Sequence, residues 1–164
     1  MNGKHPTILF VSTGNAARSL MAEAIMRKIA GHRFSARSAG VQPTAEVSPE
    51  TLALLTAEGI PVQGLHTKSV GEFLAAARIV PIHVIVTLSE EAKAECPAVW
   101  PGDPVRVHWT LDDPLASAKA DQREWKFRKC YSVLESRITA LIKNRVAQSA
   151  SELLLQLKDV GMVV

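Results

Sequence analysis

Hydrophobic and polar positions follow two rhythms along this chain. Residues 7–12, TILFVS, form a continuous apolar run with β-branched members, bounded by Pro6 and Gly14. Such a run predicts a strand covered on both faces, as in a parallel sheet. Residues 19–31, SLMAEAIMRKIAG, switch to helical spacing: Leu20 falls in line with Ala24, and Met21 with Ile25 and Ile29. Gly31 is a natural stop. RFSARSAG (33–40) alternates and predicts a second strand. SPETLALLTAEG (48–59) opens with Ser48 as cap and Pro49 in the first helical position, and stops at Gly59. Its capping-box slot holds Thr51 instead of Glu. Ser69 with Glu72 three residues on forms a full capping box for a helix over 69–77. IHVIVTL (82–88) predicts a third strand, SEEAKAE (89–95) a short polar helix and PVRVHW (104–109) a fourth strand. A long amphipathic helix is expected over 118–146, with Trp125, Phe127, Cys130, Val133, Leu134, Ile138, Leu141 and Ile142 as its core face. After a polar break, 149–161 predicts a last helix.

Strands alternating with helices point to an α/β sandwich with a parallel sheet. The expected organisation is one domain over 1–146 and a helical tail over 147–164. No repeat or low-complexity tract interrupts it. The tail carries ELLLQL (152–157), and an isolated helix of that size is marginal in water. It must pack on the domain body, on a second copy to make a homodimer, or on another protein.

Composition narrows the class. At 164 residues the chain is long enough for one real core, and its 47% hydrophobic and 21% charged residues fit an ordinary globular protein. No apolar run approaches the ~18 residues of a membrane span, so no membrane partner is expected. MNGKHP leads straight into a strand, with no sign of a signal peptide. Cys96 and Cys130 are too few for a disulfide framework, and the cytoplasm is the expected compartment. A net charge of +3, without a dense basic run interleaved with aromatics, argues against nucleic acid.

The chemistry concentrates in the stretch Ser12, Thr13, Gly14, Asn15, Ala16, Ala17, Arg18, Ser19. Gly14 permits a positive φ, and Asn15 is the next most tolerant residue. Ala16 and Ala17 are small enough to leave backbone N–H groups uncovered. The helix beginning near Arg18 adds its positive end. Arg18 offers a planar fork suited to two oxygens of a phosphate-like group. Ser19 either caps the helix or donates back into the loop. Together these cradle a tetrahedral oxyanion. The Gly-Lys-Ser/Thr ending of a nucleotide loop is missing.

FVSTGNAARS resembles the Cys-Thr-Gly-Asn-x-x-Arg-Ser signature of the low-molecular-weight tyrosine phosphatase superfamily. LMAEA, SAG, CPAVWPG, HW and DDP follow in the order seen in its arsenate reductase branch, so the resemblance spans residues 7 to about 146. It implies a four-stranded parallel sheet flanked by helices in a three-layer sandwich. It also implies reduction of arsenate to arsenite, or hydrolysis of phosphate monoesters, through a cysteine thiolate and without a cofactor. By position, Ser12 takes the place of the nucleophile and Arg18 that of the oxyanion binder. Asp113, before Pro114, matches the general acid; Asp112 reads as a turn residue. Ser19 matches the residue bonded to the nucleophile, and Asn15 the loop brace. Thioredoxin-coupled members use two further cysteines, whose positions here hold Ser89 and Cys96. Cys130 reads as a small core hydrophobe. Some members hold a potassium ion at positions matching Asn15, Glu23 and Ser38, where Lys68 would supply charge instead. No resident metal is otherwise expected. LASA after Asp113-Pro114 lacks the aromatics of an aryl-phosphate pocket, which favours phosphate, arsenate or sulfate as ligand.

Ser12 is the departure. A cysteine thiol has a pKa near 8.5 and such a loop lowers it, whereas a serine hydroxyl stays protonated unless a base takes its proton. No base is legible near the loop, although His108 at the end of the fourth strand faces either the site or the body of the protein. Serine also cannot form the disulfide that completes arsenate reduction, so a thiol-redox partner is relevant only to an active form. Three accounts stand: a natural relative that binds oxyanions without catalysis, an introduced Cys-to-Ser replacement in an active enzyme, or a serine nucleophile of unfamiliar type.

Overall fold

The computed structural model describes residues 5–164; the expectation about a leader rests partly on residues 1–4, outside that range. Strand β1 (Thr7–Ser12) lies inside a four-stranded parallel sheet ordered β2-β1-β3-β4, with β2 at Ser35–Gly40, β3 at Val84–Thr87 and β4 at Val105–His108. The continuous apolar run of β1 follows from this place, because Ile8 and Phe10 face one layer of helices while Leu9 and Val11 face the other. The first layer contains α1 (Arg18–Ala30), α2 (Pro49–Ala57), α5 (Ala120–Lys143) and α6 (Ala150–Gly161). The second contains α3 (Val70–Ala76) and α4 (Glu90–Glu95). The expected three-layer α/β sandwich is therefore present. The chain leaves β1 toward β2 on one side and later fills β3 on the other. The crevice beyond the carboxyl end of β1 is thus the switch point of the sheet, where ligands bind in such folds.

The helix ends show which local signals governed. Ser48 Oγ accepts from Thr51 N–H at 3.4 Å, and Ser69 Oγ from Glu72 N–H at 3.2 Å. Gly59 takes φ +67° past the end of α2. Gly31 behaves otherwise: its φ is −61°, and a Cβ there would fall 2.6 Å from the Arg27 carbonyl oxygen. It ends α1 by close approach rather than by a left-handed turn. On α5, Phe127, Cys130, Leu134, Ile138 and Leu141 are buried, but Trp125 is 59% exposed. Two residues before Phe127, it sits about 200° around the helix and cannot share that face.

The tail packs on its own chain. Leu157 and Val160 join the first core layer, Leu153 and Leu154 are half-buried, and Leu155 remains exposed. Trp109, just past β4, donates from Nε1 to the Leu157 carbonyl at 2.8 Å. Among the described residues, no helix is long and apolar enough to cross a membrane.

Candidate oxyanion site

The loop from Ser12 to Arg18 turns beyond the end of β1 and is held from three sides. Thr13, Gly14 and Ser12 carbonyls accept from Gln42, Thr44 and Val41 N–H groups at 2.9, 2.9 and 3.1 Å. The Ala16 carbonyl accepts from Ser48 N–H at 3.1 Å and from Thr51 Oγ1 at 2.9 Å. Gly40 ends β2 against the loop, where a Cβ would meet the Thr13 carbonyl oxygen at 2.8 Å and Asn15 N at 3.0 Å. The left-handed residue is Asn15, at φ +52°, and not Gly14. Gly14 instead passes close to Thr44, whose Cγ2 would lie 3.0 Å from an added Cβ.

With its carbonyls turned toward this frame, the loop commits few of its N–H groups. Asn15 N–H donates to Ser12 Oγ at 3.2 Å. Among the described residues, the N–H groups of Thr13, Gly14, Ala16, Ala17 and Arg18 meet no acceptor. Ala16, Ala17 and Arg18 are nonetheless buried, and Ala17 precedes α1 without a side-chain cap. Buried N–H groups are rarely left unpaired. Successive free donors at a helix N-terminus form an anion-binding concavity.

The side chains complete the pocket. Arg18 is 7% exposed and turned inward: Nη1 donates to the Leu111 carbonyl at 3.0 Å, and Nη2 lies 3.6 Å from Asp113 Oδ2. Asp113 caps the short 3-10 turn Pro114–Ala116, its Oδ1 accepting from Leu115 N–H at 3.0 Å. Arg18 and the Asp113 carboxylate thus meet across 95 residues of sequence. Ser12 Oγ lies 2.6 Å from Ser19 Oγ, which itself accepts from Asn15 Nδ2 at 2.8 Å. With Asn15 occupying a lone pair of Ser19, the Ser19 proton is available to Ser12. An anionic atom at position 12 would therefore face two donors, Asn15 N–H and the Ser19 hydroxyl.

Asn15 anchors a second network. Its Nδ2 also donates to Ser38 Oγ at 3.0 Å, and its Oδ1 accepts from Lys68 N–H at 2.8 Å. Ser38 donates to the buried Glu23 carboxylate, which also pairs with Arg27. Lys68 Nζ lies 3.4 Å from Glu23 Oε2 and donates to the His66 carbonyl at 2.7 Å. Burial pushes the Lys68 ammonium below the usual lysine range, with Glu23 opposing that shift.

The remaining candidates divide. Ser89 stands beside the loop, 3.0 Å from Thr13 Oγ1, and caps α4 by accepting from Ala92 N–H. Cys96 ends α4 in the second core layer with Trp100, and burial raises its thiol pKa. Cys130 is buried on the inner face of α5, where desolvation pushes its thiol up to about 12. His108 pairs with Thr87 Oγ1 at 2.8 Å and Glu90 Oε1 at 2.9 Å, away from Ser12. Among the described residues, the hydrogen-bond partners of Ser12 Oγ are Ser19 and Asn15, and neither is a base. The frame of Gly40, Ser48 and Thr51, and the Leu111 carbonyl, went unread in the sequence. Only the Ser-Pro cap left a local signal for any of them.

The family model for low molecular weight phosphotyrosine protein phosphatases matches residues 7–152, and the chain belongs to that family. It is 32% identical over 139 residues to an arsenate reductase of Halalkalibacterium halodurans, covering 84% of this chain and 94% of that one. The crystal structure of an arsenate reductase from Archaeoglobus fulgidus is 26% identical, with a TM-score of 0.64 over 84% of this chain and 99% of that one. An arsenate reductase solved in its phosphate-binding state shares the fold, with 23% identity and a TM-score of 0.65 over 84% and 97% of the two chains. These relatives place the chain in the arsenate reductase branch of the superfamily.

Proposed function

We propose that this protein binds arsenate or phosphate in the Ser12–Arg18 loop and that Ser12 removes the thiol chemistry of its arsenate reductase relatives. The observation that carries this reading is a buried run of free N–H groups beside an inward-turned Arg18. A tetrahedral dianion would take those donors and draw the Arg18 fork from Leu111 and Asp113 onto two of its oxygens. Asp113 would then stand at the mouth of the loop, where a leaving oxygen would need a proton. Ser12 has no base to take its own proton, and it cannot become half of a disulfide. Lys68 serves as the fixed cation of the Asn15–Ser38–Glu23 network, in place of a bound monovalent ion. The reading of Ser12 as an introduced replacement in an active reductase or phosphatase shares this geometry. Only an active form would need a thiol-redox partner, and its further thiol positions would be Ser89 and Cys96.

Replacing Ser12→Cys tests whether the nucleophile alone is missing. Hydrolysis of 4-nitrophenyl phosphate should appear in the variant, sensitive to thiol alkylation. A variant that binds phosphate yet stays inert would show that more than the nucleophile has been lost.

A further inference from the structure

Arg137 on α5 is 4% exposed and pairs with no carboxylate among the described residues. Its Nε donates to the Val163 carbonyl at 2.9 Å, and Nη1 lies 3.5 Å from the Thr110 carbonyl. The Trp109 ring centroid is 5.9 Å from the guanidinium. Nη2 meets no acceptor in the described chain. A buried charge without a counter-ion is costly, and carbonyl oxygens offset only part of that cost.

Arg137 lines a hollow of about 430 Å³ between α5 and the segment 110–112. That volume lies within the range of small-molecule sites. Leu111, Trp125, Cys130 and Val133 give it apolar walls. Lys126 and Lys129 stand at its edge, the Lys129 ammonium 5.2 Å from the centroid of the Trp125 ring. Asp112 and Val164 also border it, and Asp112 forms no ion pair among the described residues. The exposed Trp125, which has no place in the core, thus becomes one side of a cationic, partly aromatic recess.

We propose that this hollow is a second anion site, separate from the Ser12–Arg18 loop, that takes a small organic anion. A carboxylate or phosphate group meets the free Nη2 of Arg137 there, its aromatic or apolar body packs along Leu111 and Val133 toward Trp125, and Lys129 adds positive charge at the far edge. Leu111 belongs to both sites, since its carbonyl accepts the Arg18 bond. An occupant here would therefore sit next to the oxyanion loop without entering it.

The test follows the Trp125 indole N–H resonance in ¹H–¹⁵N spectra of the full chain, assigned with Trp125→Phe, during titration with benzoate and phenylphosphonate. A saturable displacement is expected, and it should persist in Arg18→Ala protein, where the loop is disabled. Arg137→Gln should weaken the binding by about ten-fold or more, the effect of losing one charged hydrogen-bond partner, and Lys129→Ala by about two- to five-fold, the effect of removing an exposed charge. Lys129 is exposed, so its variant decides the matter if Arg137→Gln does not fold. The inference is overturned by the absence of saturation with both probes, by Lys129→Ala saturating at the wild-type concentration, or by loss of the response in Arg18→Ala. The last outcome would place the probe in the loop.

Discussion

Ser12 Oγ accepts from Asn15 N–H and lies within 2.6 Å of Ser19 Oγ, an arrangement that would hold a thiolate well and gives a neutral hydroxyl little. Lys68 is the other residue whose placement departs from an ordinary surface role. Its ammonium is buried against Glu23, and its backbone N–H steadies Asn15. Lys68→Ala should weaken phosphate binding more than loss of an exposed lysine such as Lys143, measured by calorimetry on the three proteins. Equal affinities would reduce Lys68 to a packing residue. At this scale the sequence was informative where chemistry is local. Ser12, Asn15, Arg18, Ser19 and Asp113 come together beyond the end of β1, and Asn15 rather than Gly14 takes the left-handed backbone. The sequence was uninformative where one backbone approaches another. Nothing in SAG announces that a Cβ at Gly40 would strike the loop, because that contact exists only once β2 pairs with β1.

The elements hold the loop through their ends. The cap of α2 does double service, since Ser48 both starts the helix and ties it to Ala16. At the far end of the fold, α6 presses Gly161 against the buried Trp109, where a Cβ would fall 2.7 Å from the ring. A rigid buried indole cannot give way as a flexible side chain would. Gly161→Ala should destabilise the protein by ~1–3 kcal/mol, read as a lower urea midpoint at unchanged slope. An unchanged midpoint would mean that α6 is free to slide. Nearly all elements were readable from periodicity and caps. Trp125 was not, because a broad count of apolar residues on α5 does not separate those 100° apart from those 200° apart. Nor could the leucines of the tail say which surface covers them.

In the whole molecule, an ion pair ties two helices of the first layer beside the site. Arg123 on α5 pairs with Glu50 on α2 at 2.8 Å and donates to the Ser117 carbonyl at 3.0 Å. The Arg123 and Ser48 bonds hold the Glu50 carboxyl down at about 2, against an ordinary value of 4.5. A lowered folded-state value means that the unfolded chain binds the proton first as pH falls. The stability from this pair is therefore complete above 4.5 and declines as pH drops from there toward about 2. The thermal midpoint of the wild type should fall across that window, and that of Glu50→Gln should fall less steeply. Parallel curves for the two proteins would show that the pair contributes nothing.

The central claim is that the loop closes on a tetrahedral dianion although sulfur is absent from position 12. Isothermal titration of the unmodified chain and of Arg18→Ala with arsenate and phosphate measures this directly. Binding at one site per chain is predicted for the unmodified protein, weakened by ~1.5–3 kcal/mol in Arg18→Ala. Absence of binding, or equal affinity in the two proteins, would contradict it.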